Sequence, residues 1–303
     1  MKIKHLTAMA LTALVVVSCQ KISIPDVDAD QVSDTEETTN APTKKFTFTV
    51  KGEFQSPNFS YGAKSRKAPT YLSDNEEQMT DLWVLDYMEG VLQQQVHQSA
   101  DATDWGVPTM LLKYGAHHIY FVTSRGETPT LNTEAGTIIW EKTKDTFWKD
   151  YEVTVVKTSN GNRAVTLDRI ATKFSLVLED VIPNDMATLS ITPQTWYYGV
   201  NYMTGEAVDE RTQERVISIP DSKHGAEGLS VSVFGICPST EYTTDVEVVA
   251  KTVDNTMLGS ASITSAPFQR NRVSQYTGYL FGENGSLSIS LDSDWNEPYN
   301  GEF

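Results

Sequence analysis

Cys19 stands behind Val16, Val17 and Ser18, with an apolar residue at minus three and a small one at minus one. That order suits alkylation of the Cys19 thiol by diacylglycerol and cleavage between Ser18 and Cys19, because the peptidase subsite beside the cut admits only a small side chain. Cys237 closes the apolar run Leu229–Ile236. With Cys19 acylated it has no intrachain partner, and no neighbouring histidine would make it a nucleophile, so it reads as a buried small hydrophobe. His117 and His118 are adjacent in an extended run and point to opposite faces, so they cannot share a metal ion; one inward and one outward ring is expected. Asp26, Asp28, Asp30, Asp34 and Glu37 fall at positions 1, 3, 5, 9 and 12 of an EF-hand-like loop, but Gln31 occupies the position where the sharp turn requires glycine. No amphipathic helix flanks the run, which reads as a charged linker. No metal is therefore expected, and no cofactor beyond covalent lipid on Cys19.

The chain contains no G-x-S-x-G elbow, H-E-x-x-H helix or phosphate-binding glycine loop. Carboxylate pairs are abundant among 40 acidic side chains, so no single pair points to hydrolysis. No enzymatic activity is expected. Aromatic residues leave a binding alternative. Trp196-Tyr197-Tyr198 on one strand must present rings to both faces, and Trp105 sits in a loop bounded by glycine and proline; Trp105 and Trp196 are the candidates for stacking on a sugar. Core or domain-junction packing is the competing reading.

Residues 1–18 have the form of an export signal, with Lys2 and Lys4 ahead of an apolar stretch, Leu6–Val17, too short to span a bilayer. Together with Cys19 they resemble the bacterial lipobox, against an ordinary secretory signal with a chance cysteine. Each buried methylene contributes about 0.8 kcal/mol, so the two or three acyl chains of a lipoprotein give stable attachment. Gln20, where an aspartate would resemble an inner-membrane retention mark, favours the outer membrane. Residues 19–44 are acidic, carry Pro25 and Pro42, and offer almost no large apolar side chain after Ile24, so they read as a lipidated linker. The whole chain has 24 basic and 40 acidic side chains, a net charge of −16, and removal of residues 1–18 makes it more acidic. No broad cationic surface is available for nucleic acid or for adsorption to anionic lipid.

From Lys45 onward apolar residues recur with period two in short runs punctuated by Gly, Asn, Asp and Pro. Phe46, Phe48 and Val50 share one face of the first strand. Leu82–Met88 and Val91–His97 read as a hairpin through Glu89-Gly90, and Ser159-Asn160-Gly161-Asn162 reads as a second hairpin turn between Tyr151–Lys157 and Ala164–Asp168. Some fifteen strands suit two stacked β-sandwiches better than one. The expected division is an N-terminal sandwich over 45–162 and a C-terminal one over 163–303, packed together without a flexible linker.

Four blocks carry a resemblance: Thr80–Asp86, Tyr114–Val122, Arg169–Leu176 with Asp180–Pro183, and Arg270–Val273 with Tyr276–Gly282. With the lipobox they resemble the FimB-like branch of the fimbrillin superfamily, the anchor and accessory subunits of type V pili. The resemblance implies an all-β protein of two tandem transthyretin-like sandwiches, exported as an outer-membrane lipoprotein exposed at the cell surface. Its implied partners are the membrane, through lipid, and other pilus subunits joined by β-strand complementation, with a glycan or host-surface receptor for adhesion. In stalk subunits of that superfamily a protease cuts after the first strand and a neighbour's strand fills the groove. The corresponding features here are the plugs Phe46, Phe48 and Val50 and a loop over 58–75 with Arg66 as the candidate cleavage site, against the competing reading of Lys64, Arg66 and Lys67 as ordinary loop charges. Anchor-type members keep the strand. The short tail after the last strand contains Pro298 and Gly301, which interrupt a ladder, and so favours an anchor or accessory subunit over a stalk pilin.

Overall fold

The computed structural model describes residues 41–52, 70–71, 79–281 and 287–292. Ser18, Cys19, the carboxylates of 26–37, Arg66 and the tail after residue 292 lie outside them.

The alternating segment at the front becomes β1 (Thr43–Gly52), the organiser of a four-stranded sheet. β10 (Asn162–Thr166) runs parallel to it along residues 47–51. On its other side β5 (Thr109–Lys113) and β2 (Thr70–Tyr71) pair antiparallel with its two ends. Facing this sheet is an antiparallel one in the order β11 (Asp168–Arg169), β9 (Thr146–Val155), β6 (Gly115–Ser124), β3 (Asp81–Met88), β4 (Val91–Ser99). Phe46, Phe48, Leu82, Val84, Phe121 and Phe147 fill the space between them.

The second sandwich sets an eight-stranded sheet against a four-stranded one. The larger runs β21 (Leu287–Asp292), β20 (Val273–Gly278), β12 (Ala171–Leu178), β17 (Leu229–Ile236), β14 (Trp196–Asn201), β8 (Thr137–Lys142), β7 (Glu127–Asn132), with β15 (Ala207–Arg211) also on β14. The smaller runs β16 (Arg215–Ser218), β13 (Met186–Pro193), β18 (Tyr242–Thr252), β19 (Met257–Phe268). Phe174, Leu176, Trp196, Val246, Val248 and Phe268 lie in its core. The chain is thus all-β, in two tandem β-sandwiches, as the strand periodicity requires.

A third core joins the two. On β3, Leu82 and Val84 point into the first sandwich, while Trp83, Leu85 and Tyr87 point the other way and meet Ile138, Trp140, Val200 and Tyr202 of the second. That is why Leu82–Leu85 is continuously apolar rather than alternating: both faces of this strand are covered. The hairpin through Glu89-Gly90 forms as expected, both residues taking the positive φ of 52° and 75° that a tight β-turn demands.

Two expectations are corrected. Residues 159–162 do not close a hairpin, because β10 leaves the sheet of β9 and lies beside β1 in the opposite one. Gly161 is there for space rather than for a positive φ: a Cβ on it would sit 2.3 Å from the Lys45 carbonyl oxygen. The stretch after Thr123 holds β7 and β8, a hairpin that pairs through β8 with β14 and so extends the sheet of the second half. The division read at 162/163 falls at the first residue of β10, a strand that belongs with β1.

Candidate functional site

The first strand and the slot around it form the site that the sequence singles out. Thr47 and Thr49 alternate with Phe46, Phe48 and Val50, a composition of β-branched and aromatic residues that favours an extended, half-buried strand. The three plugs have no exposed surface. Phe48 sits 6.0 Å from the Phe46 ring centroid, 5.3 Å from that of Phe121 and 5.9 Å from that of Tyr151, the last two edge-on. Arg163, on the neighbouring β10, places its Cζ 5.4 Å from the centre of the Phe46 ring.

Hydrogen bonding engages both edges of the strand. On one side the Thr47 amide donates to Gly161 O at 2.7 Å and the Leu167 amide donates to Lys51 O at 2.8 Å. On the other, beyond the last rung shared with β5, the Phe48 and Val50 amides donate to Pro108 O at 2.9 Å and Gly106 O at 3.0 Å. The slot is therefore completed by a loop, 106–108, as much as by strands. Removing β1 would strip backbone partners from two sides and empty the plug positions at once.

Trp105 belongs to this same core and is 4% exposed; Trp196 is fully buried in the second sandwich, where its Nε1 donates to Phe234 O at 2.9 Å. Neither indole offers a free face, so contrary to the sequence expectation Trp105 and Trp196 do not form a sugar-stacking surface: both rings are bound up in packing. Of the aromatic triplet, Trp196 and Tyr198 point into the second sandwich, whereas Tyr197 packs at the junction.

The histidines divide as their adjacency requires. His117 is buried, its Nδ1 2.6 Å from Asp86 Oδ1 and its Nε2 2.9 Å from Lys113 O, so β3 and β6 are tied together by a polar pair inside the sandwich. His118 is exposed, with its Nδ1 3.2 Å from both Asp150 oxygens. Its donor atom, that of Asp150 and that of Glu152 lie within 4.8 Å of one another, a grouping that the spacing His117-His118 does not reveal because the carboxylates arrive from β9. Cys237 is fully buried, and burial pushes its thiol up to about 12, which leaves it unreactive.

A polar network missed in the sequence lies where the first sandwich passes into the second. Arg169 donates from Nε to Asp145 Oδ1 at 2.9 Å and from Nη2 to Asp145 Oδ2 at 3.0 Å, while its Nη1 reaches Asn271 Oδ1 at 3.0 Å. The guanidinium also lies 4.6 Å from the Phe147 ring centre. Lys173 is buried nearby, and burial pushes its ammonium down to about 8, with Asp145 opposing and Arg169 adding to the shift. Below pH 8 folded and unfolded chains both hold that proton, and the cost of the buried charge is present in full. Between about pH 8 and the unfolded value of 10.5 the unfolded chain binds a proton the folded one has released, so stability rises with pH. Urea midpoints should increase from neutral pH to about pH 10, and Lys173→Met should remove most of that increase.

Residues 117–302 match the sequence model of a family of unknown function, DUF6562. The chain belongs to this family. The matched stretch takes in β6 from His117 onward, β9, β10 and β11 of the first sandwich and all of the second. No curated protein matches the sequence. Among solved structures, a candidate adhesin from Bacteroides ovatus is 13% identical, covers 88% of this chain and 99% of its own, and superposes with a TM-score of 0.51. A candidate polysaccharide-binding protein from Bacteroides thetaiotaomicron is 11% identical over 84% of this chain and 98% of its own, with a TM-score of 0.50. The fimbrial anchor protein Mfa2 from Porphyromonas gingivalis is 7% identical over 82% and 96%, with a TM-score of 0.44. At these identities the similarity is one of fold.

Proposed function

We propose that this protein is a non-enzymatic outer-membrane lipoprotein, held by lipid on Cys19, that serves as an anchor or accessory subunit of a surface fimbria and contributes to adhesion. The observation that carries the reading is β1: an alternating strand bonded along both edges, with three fully buried plugs, a form that strand complementation would use. A strand-shaped slot of this kind recognises its occupant through main-chain bonds and alternate side-chain pockets. The fold shared with the candidate adhesin of Bacteroides ovatus and the lipobox-like front of the chain support the same reading. An anchor keeps β1; a polymerising subunit would lose it by a cut at Arg66.

Two experiments test this. Deleting the gene should release fimbriae from the cell or change their length, with the protein copurifying with fibres in the parent strain; unaltered attachment and length would contradict the anchor role. In vitro, a chain lacking residues 43–52 should misfold or aggregate, and a synthetic peptide of that segment supplied in trans should restore a cooperative unfolding transition. The same peptide with Phe48→Asp should not, since it would bury an unpaired carboxylate in an apolar slot.

A further inference from the structure

A chain with 24 basic against 40 acidic side chains nevertheless gathers five cations at one end of the second sandwich. Arg125 precedes β7, Lys142 ends β8, Lys144 follows in the connection to β9, Arg211 ends β15 and Arg215 opens β16. Two guanidiniums share one ring, the Cζ of Arg211 lying 4.0 Å and that of Arg215 4.8 Å from the centre of buried Tyr198. Arg211 Nη2 donates to Trp140 O at 3.0 Å and Arg215 Nη2 to Thr143 Oγ1 at 3.3 Å, so both are tied to the end of β8 that supplies the lysines.

Their charge is incompletely neutralised. Lys142 pairs with Glu127 at 3.0 Å and Arg211 with Asp209 at 2.8 Å. Arg125, Lys144 and Arg215 have no carboxylate at ion-pair distance among the described residues, and the buried Nε of Arg211 has no hydrogen-bond partner there. Burial, then Lys142 among the neighbouring cations, holds the Lys144 ammonium below its usual range, and burial lowers Arg215 as well. Like charges held together on ordered strands repel unless an anion joins them, and they focus a positive potential on an otherwise acidic molecule.

We propose that this cluster binds an acidic polysaccharide through its carboxylate or sulfate groups. The local backbone argues against an added peptide strand as the occupant. β7 is the outermost strand of its sheet, where such a peptide would pair, but Pro129 lacks an N–H and Thr128 takes a φ of 53°, both of which break a regular edge ladder. Recognition is left to charge, for which guanidinium and ammonium donors suit planar carboxylates and sulfates. The site is separate from the β1 slot and stands or falls independently of the fimbrial reading.

Calorimetric titration of the full chain with a heparin hexasaccharide and, in parallel, with a polygalacturonate oligomer tests the proposal. At low salt at least one should bind, heparin alone marking a sulfate ligand and polygalacturonate alone a carboxylate one, and the affinity should fall steeply as salt is raised. Lys144→Gln and Arg215→Gln should each weaken binding about tenfold. Arg215→Lys should retain more affinity than Arg215→Gln, and Lys113→Gln in the first sandwich should leave binding unchanged. Unfolding midpoints check that the variants remain folded, and the salt dependence of the unmodified chain stands as a test without them. The proposal is overturned if neither saccharide binds at low salt, if affinity is insensitive to salt or to both glutamine substitutions, or if polyglutamate binds as tightly, which would assign the surface to acidic peptides.

Discussion

Replacing Phe48 with alanine should destabilise the protein by about 3–5 kcal/mol, the range for deleting a fully buried phenylalanine ring. The ring has no exposed surface and packs against Phe46, Phe121 and Tyr151, so its loss removes contacts within β1 and across to β6 and β9 together. Both sheets of the first sandwich hold their geometry through main-chain ladders and can collapse only partly into the space. Denaturant titration should show a lower midpoint with the slope preserved. A destabilisation below about 1 kcal/mol would mean that the plug positions are not the packed centre described above. Phe48→Leu, which keeps much of the volume, should cost distinctly less, and that ordering separates packing from a general intolerance of substitution.

The second large effect is expected at the junction. Arg169 and Asp145 are nearly inaccessible, at 2% and 8% side-chain exposure, and they meet through two parallel hydrogen bonds. Burial raises the Asp145 carboxyl above the ordinary carboxylate range and the guanidinium opposes that shift. Arg169→Met should therefore cost about 3–5 kcal/mol, because it leaves a buried carboxylate without its counter-charge. The paired change Arg169→Met with Asp145→Leu should recover most of the loss, since removing both charges also removes both desolvation penalties. Equal losses in the single and double variants would show that Arg169 acts through its contact with Asn271 or its stacking on Phe147 instead. The double-mutant cycle is the measurement that separates these terms.

Much of this architecture can be read from the chain because burial on one face of a strand forces period two. Phe46, Phe48 and Val50 are legible for that reason, as is the Glu89-Gly90 turn, whose residue types suit positive φ. The β7–β8 hairpin is not legible. Its Glu127–Asn132 strand has exposed and half-buried positions only, and therefore little hydrophobic signal. The turn at 159–162 misleads for the opposite reason: an Asn-Gly pair has two uses, and here the glycine admits a neighbouring carbonyl.

The polar pairs were legible only as unusual residues, never as pairs. Asp86 and His117 stand in two of the four blocks that carry the resemblance, as do Arg169 and Asn271 in the other two, and the fold brings the couples to 2.6 Å and 3.0 Å respectively. Asp180, in a third block, accepts hydrogen bonds from the amides of Leu280 and Phe281 in a fourth. Sequence spacing carries no information about such partners because they meet across strands that are about 30 to 100 residues apart. The cationic cluster is hidden in the same way, its members arriving from four separate strand ends.

A retained first strand and lipid attachment at Cys19 are the two features on which the proposed anchor role depends most. Intact mass and N-terminal mapping of the protein extracted from outer membranes test both at once. A diacylglyceryl-modified Cys19 at the new N-terminus, with Lys45–Phe54 still in the chain, is the expected result. A chain beginning at Lys67, or one recovered in soluble form with an unmodified thiol at Cys19, would contradict it.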